Sequence, residues 1–407
     1  MMNVPKLRFK GFGEEWKISS LQNCLIQYKL GGNYDNAEDN QGLPVIKMGN
    51  LARGKIVLDK VQNLPLNSSY DKDDILKDGD LLFNTRNTLD LVGKVAIWRN
   101  ELPTALYNSN LLRLSFNNNF EKTNRFANSL FNTRIIIKKL RGYATGTTSV
   151  AAIYTRDLLN LSISYPSLPE QEKIASFFTA VDSRLEKLKK KKELLEQYKK
   201  GVMQKIFSQD LRFKDEKGNN FPDWEDLILE DLLIEVVEKS KISNQEEVLS
   251  STAKGIFKQS EYFNREIASS DNTGYKILRL NQLVFSPQNL WLGNINVNLK
   301  YNVGIVSPSY KIFKFSEKTN AIFCNYFLKL PRMINEYKIS SVQGASVVRR
   351  NLEMEAFNNI KVKLPHIKEQ QKIANFLTAL DKKTDLVNQQ ITKTELWKKG
   401  LLQQMFV

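Results

Sequence analysis

Two polar loops hold the side chains best suited to recognition chemistry. The first contains Asn84, Thr85, Arg86 and Asn87 directly after the apolar run Leu81-Leu82-Phe83, and a matching run, Leu283-Val284-Phe285, leads into Ser286, Gln288, Asn289 and Trp291. A guanidinium carries paired donors and a carboxamide carries a donor beside an acceptor, so each can meet one base edge with two hydrogen bonds. This is readout chemistry, in which no bond is made or broken. A second pair of loops adds hydroxyls and cations. Gly146-Thr147-Thr148-Ser149 corresponds to Gly344-Ala345-Ser346-Val347-Val348-Arg349-Arg350, which makes Thr147, Thr148, Arg349 and Arg350 candidates for holding phosphates. Taken singly, each residue also has a plainer use: the polar groups can cap turns or bond backbone, and Trp291 can pack in a core.

Catalytic chemistry finds no comparable home. The sequence has no GxxxxGK[ST] phosphate loop and no [DNS]-Pro-Pro-[FYW] tetrapeptide, so neither an ATP-driven motor nor an amino-methyltransferase is indicated. The one histidine, His366, sits between Pro365 and Ile367 and has no histidine counterpart in the other half of the chain, which argues against a Ser-His-Asp or histidine-metal centre. Cys24 and Cys324 form no CxxC pair and read as buried apolar residues, and the acidic candidates Asp223 and Asp381-Lys382-Lys383 are far apart in sequence.

The positioning elements follow from size and repetition. With 407 residues, 42% of them hydrophobic and 26% charged, the chain can form two ordinary domains plus connecting elements. A formal charge of +16, from 60 Lys+Arg against 44 Asp+Glu, favours a polyanionic partner, since neutralising phosphates releases condensed counterions. Nucleic acid leads over an acidic membrane surface; the bland alternative is simple solubility. No run approaches a membrane span and the opening MMNVPKLRFKGFGEEW lacks an apolar signal core, so a cytoplasmic protein is expected.

The segment from Glu170 to Phe207 can be laid without gaps on Glu369 to Phe406 at a constant offset of 199, with 15 identities in 38 positions. A second echo precedes each half: Leu7-Arg8-Phe9-Lys10 runs to Trp16, and Leu211-Arg212-Phe213-Lys214 runs to Trp224. Two copies of so long a unit exclude a solenoid and predict a pseudo-two-fold repeat. Within the first repeated segment Ile174, Phe178, Val181, Leu185 and Leu188 alternate at heptad spacing; in the second, Ile373, Leu377, Leu380, Val387 and Ile391 do so, with Thr384 and Thr394 interrupting. Both segments follow a proline and carry glutamates in the first turn, Glu170 and Glu172 or Glu369, as a helix N-terminus favours. A helix of this length spans roughly 57 Å and reads as a spacer. Gly201 and Gly400 are expected to mark a bend or a close approach of the two helices. The lysine run 189–192 reads as a solvated face.

Between the echoes, residues of roughly 17–165 and 225–361 mix short alternating strands, Gly/Asn turns and helical stretches. The two regions share strands and differ in loops. The fold class is therefore α+β: two mixed α/β domains separated by two long antiparallel helices forming a coiled coil. The expected divisions are 1–168, 169–209, 210–364 and 365–407.

Two variable domains, each closed by a Leu-Pro boundary, an EQ-x-KIA-x-F opening and a long heptad, resemble the specificity subunit of a Type I restriction-modification enzyme over nearly the whole chain. The resemblance implies a non-catalytic subunit in which each domain reads one half of a split, asymmetric site on double-stranded DNA, while the helices set the gap. It also implies docking of two modification subunits on the helices and recruitment of restriction subunits. S-adenosylmethionine, ATP and Mg2+ would then belong to those partners and none to this chain. The assembled complex would be a site-specific deoxyribonuclease and adenine methyltransferase. A competing reading is a coiled-coil scaffold with protein-binding globular ends; a third is an enzyme fragment with an unrecognised motif.

Overall fold

The computed structural model describes residues 3–35, 41–117, 124–262, 271–343 and 350–407. Two compact units divide the chain: the first comprises residues 1–191 and 387–407, the second residues 192–386. Each contains one variable region, part of the long helix Leu168–Phe207 and part of the long helix Ile367–Gln404. No described helix is long and apolar enough to cross a membrane.

In the first unit an antiparallel four-stranded sheet has the order Leu25–Leu30, Leu111–Phe116, Leu81–Asn84, Val95–Ile97. The second unit repeats it as Leu233–Glu235, Lys311–Phe315, Leu283–Phe285, Ile295–Val297. The short apolar runs that read as strands therefore form the central strands of both sheets. A separate two-stranded pair closes each domain on itself: Lys17–Ser20 lies antiparallel to Ser162–Tyr165, and Glu225–Ile228 to Lys361–Leu364. Each variable region thus begins and ends side by side, at the start of a long helix.

The cores use the helices directly. In the first unit Ile174, Ala175 and Phe178 pack with Trp16, Phe126, Met405 and Phe406; in the second, Ile373, Ala374, Leu377 and Leu380 pack with Val202, Ile206, Trp224 and Phe323. The start of one long helix therefore shares a core with the end of the other in each unit, and the two segments run antiparallel. Ion pairs agree with that direction: Asp182 meets Lys398 and Lys189 meets Glu395 in the first unit, while Asp381 meets Lys199 in the second.

Along the heptad, Val181, Leu185, Val387 and Ile391 are buried and Leu188 only half-buried. The threonines do not open the seam. Thr384 and Thr394 donate their hydroxyls to the carbonyls of Leu380 (3.0 Å) and Gln390 (2.7 Å), so each satisfies its polar group within its own helix. The expectation for Gly201 and Gly400 fails as regards close packing: both helices continue through them, and a Cβ added at either position would meet nothing within 4 Å. His366 stacks on Phe221, with ring centroids 6.1 Å apart.

Candidate nucleic-acid interface

In each unit a buried glutamate at the start of a long helix holds the segment that precedes the variable region. Glu170, only 1% exposed in its side chain, accepts two bonds of 2.7 Å from the Arg8 guanidinium. Glu369, fully buried, accepts two of 2.8 Å from Arg212. The hydrogen bonds and charge of the glutamates raise both guanidinium pKa values above the ordinary arginine value. Beside these clasps Phe9 meets Phe177 and Phe213 meets Phe376, each pair at 5.7 Å. The next residue is reused as well: Gln171 and Gln370 donate to the carbonyls of Pro166 and Pro365, both at 2.9 Å. Sequence reasoning assigned the glutamates to the helix dipole and missed the clasp. The signal was present, because a repeated Leu-Arg-Phe and a repeated Glu-Gln offer complementary charges.

The central sheet carries the first candidate loop at its end, and burial sorts its members. Asn84 is completely buried in the Leu81–Asn84 strand, where its Oδ1 accepts the Arg86 backbone N–H at 3.1 Å. Thr85 is also buried and donates its hydroxyl to the Asn110 carbonyl at 2.9 Å. Both are scaffold residues, which corrects their assignment as surface readers. Arg86 is exposed, and Asn87, half-buried, accepts the Thr88 N–H on its Oδ1 at 2.8 Å.

Backbone pairing joins the two candidate loops of the first unit. Arg86–Asn87 pairs with Ala151–Ala152, which pairs with Thr145–Gly146, and the Leu89 N–H donates to the Thr148 carbonyl at 3.1 Å. The exposed residues Arg86, Thr147 and Thr148 thereby lie on one small sheet and its turn. Gly146 holds φ at +121°, and a Cβ there would come within 2.4 Å of the Val150 carbonyl oxygen, so the turn requires glycine.

In the second unit the corresponding pair is Ser341–Gln343 with Arg350–Leu352, without a third strand from residues 288–289 among the described residues. Ser286 is buried and its carbonyl accepts the Asn289 N–H at 3.1 Å, so it too is corrected to a scaffold role. Gln288 is exposed; Asn289 and Trp291 are half-buried. The Arg350 N–H donates to the Gln288 carbonyl at 3.4 Å, and its guanidinium lies over the Trp291 ring, 5.1 Å from the centroid. Trp291 therefore presents a face to a cation as well as packing. Arg349, with the loop from Gly344 onward, lies outside the described residues.

Comparison with known proteins accords with this geometry. The family of the Type I restriction modification DNA specificity domain matches twice, over residues 14–197 and 223–396. A Methanocaldococcus jannaschii chain assigned as the MjaX type I restriction enzyme specificity subunit is 24% identical, covering 98% of this chain and 95% of its own length. The MjaVIII specificity subunit of the same organism is 23% identical over 63% of this chain and 64% of the relative. Among solved structures, the S subunit of a Type I restriction-modification system from M. genitalium superposes with a TM-score of 0.58 at 16% identity, covering 99% of both chains. A chain solved in work on complex assembly and conformational transition of the type I R-M system gives 0.51 at 13% identity, covering 96% of this chain and 97% of the other.

Proposed function

The chain belongs to the Type I restriction-modification DNA specificity family, and from that premise we propose that its two units read the two halves of one bipartite, asymmetric DNA site. The observation that carries this reading is the repetition of one frame under different loops. Both units set an exposed polar residue, Arg86 or Gln288, at the end of the same central strand, joined through backbone hydrogen bonding to Ala151–Ala152 in the first unit and to Arg350 in the second. Arg86 favours guanine, through O6 and N7, whereas Gln288 favours adenine, through N6 and N7. Thr147 and Thr148 in one unit and Arg350 in the other would hold phosphates or base edges.

The long helices, buried into both cores, fix the unread gap between the half-sites and give two modification subunits equivalent docking surfaces. S-adenosylmethionine, ATP and Mg2+ are contributed by modification and restriction subunits. Co-expression with the modification subunit encoded beside the chain, followed by mapping of methylated adenines by single-molecule sequencing, tests the reading. A split motif with a fixed gap is expected. A stable complex that methylates nothing, or an unsplit motif, would overturn it.

A further inference from the structure

The strongest unused feature is a group of cations in the first unit. Arg53 occupies the turn between the paired strands Leu51–Ala52 and Lys55–Ile56, and the next residue, Gly54, donates its N–H to the Val95 carbonyl at 2.8 Å. That bond brings the Arg53 turn to the Lys94-Val95 segment of the neighbouring strand. On the other side, a Cβ built on Gly93 would lie 3.5 Å from Leu140 Cβ, so Lys94 and Arg141 each adjoin this contact.

Arg53 and Lys94 are half-buried, and the Nη1 of Arg53 is shut off from solvent without a hydrogen-bond partner. Burial and then repulsion from Arg141 lower the Arg53 pKa; burial and then repulsion from Arg53 lower that of Lys94. The surrounding charges offer little relief. Arg99 is directed to Asp182 at 3.6 Å and to the Gly54 carbonyl at 3.5 Å, and the carboxylate on Arg141 is Asp90, itself 88% exposed, at 3.2 Å. Holding Arg53 and Lys94 half-buried with no ion pair to a described carboxylate costs stability, and an arriving anion would reverse that cost.

We infer that Arg53, Lys94 and Arg141 of the first unit form a clamp for a backbone phosphate of double-stranded DNA. The inference rests on the DNA-reading function above. A guanidinium fork matches two phosphate oxygens, and an ammonium adds a point charge. The location suits positioning: the Gly93 N–H donates to the Asn84 carbonyl at 2.9 Å, so the clamp is attached to the base of the Arg86 loop. A phosphate held here would set the register in which Arg86 and the Thr147 turn meet bases.

In the second unit the two half-buried cations are absent from the matching positions, and the turn's one cation is the exposed Lys254. The hairpin there pairs Leu249–Thr252 with Gly255–Lys258, leaving Ala253 at the first turn position, and Asn294 follows Gly293 where Lys94 follows Gly93. Asn294 is already satisfied, accepting the Ser251 hydroxyl on Oδ1 and donating Nδ2 to the Ser251 carbonyl, both at 3.0 Å.

The test titrates the full chain with a random-sequence DNA duplex over a salt series. Each phosphate contact contributes about −0.9 to the slope of log K against log salt. Arg53→Gln and Lys94→Gln are each expected to make the slope shallower by about one while leaving Tm unchanged or higher. Arg53→Lys should keep the wild-type slope, and Asn294→Ala should not alter it. Unchanged slopes in both glutamine variants, beside a salt-dependent wild type, would overturn the clamp and leave DNA reading intact. A fall in Tm that Arg53→Lys fails to restore would make Arg53 a structural residue and also overturn it. A wild type without salt-dependent duplex binding would remove both the clamp and the reading function.

Discussion

The two units solve the same structural problem alike and the same surface problem differently. Arg8 and Arg212 close on Glu170 and Glu369 with matching bidentate bonds, whereas the first turn position and the residue after the strand-side glycine are Arg53 and Lys94 in one unit and Ala253 and Asn294 in the other. The contrast shows where sequence freedom lies. A buried charge pair penalises loss of either partner, so a clasp repeated intact holds each variable domain to its helix. Exposed turns bear no such penalty, and their chemistry can change while the sheet beneath persists.

The largest expected effects test whether the clasps are equivalent. Glu170→Ala and Glu369→Ala should each destabilise their own unit by about 3–5 kcal/mol, because each leaves a guanidinium beside a vacated buried site. Denaturant unfolding followed by hydrogen exchange would locate the loss. A loss confined to one variant would break the comparison at its base.

Next come the loops. Arg86→Ala should cost about 1–3 kcal/mol of discrimination at one base position and leave the other half-site unchanged; Gln288→Ala should do the converse. Competition binding against single-base substitutions of the mapped site would separate the two. Relaxation of both half-sites by one substitution would dissolve the assignment of one half-site to each unit.

A smaller difference concerns pH. Lys329, just after the helix Ala321–Phe327, bonds the Asn296 side chain at 2.8 Å, and burial followed by repulsion from Lys199 lowers its pKa to about 8. At the matching place in the first unit, one residue before the helix N-cap Thr133 as Lys329 is one before the N-cap Leu330, stands the uncharged Asn132, which donates to the Val95 carbonyl. Between the folded value near 8 and the ordinary 10.5, the unfolded chain binds more protons than the folded one, so stability rises with pH across that window. The second unit should gain about 1–2 kcal/mol there relative to Lys329→Met, after allowance for partial solvation. Urea midpoints at pH 7.5 and 10 would check the slope; an equal gain in both proteins would contradict it.

The smallest effect belongs to the ion pairs between the long helices. Asp182→Asn and Asp381→Asn should each cost no more than about 1 kcal/mol, since Lys398 and Lys199 are partly solvated. Similar small changes in Tm would uphold the equivalence of the two helix pairings.

Much of the frame was legible because repetition and periodicity are properties of sequence. The offset of 199 revealed two related helices, and the runs ending at Phe83 and Phe285 revealed the central strands. Which polar residue faces outward was less legible. Asn84 and Arg86 are two positions apart in one loop, yet the first is fully buried while the second is exposed. Composition marks both as readers; the difference arises where the strand ends and the chain turns toward Ala152. Arg53 and Lys94 were missed because their proximity depends on a hydrogen bond from Gly54 to Val95, a contact that no local pattern announces.

The most direct measurement replaces residues 17–165 with the corresponding domain of another family member, co-expresses the chimera with the modification subunit, and maps methylated adenines. The account predicts that one half of the recognition motif changes while the other half and the gap stay as they were. A motif altered in both halves, or one that keeps both, would contradict it.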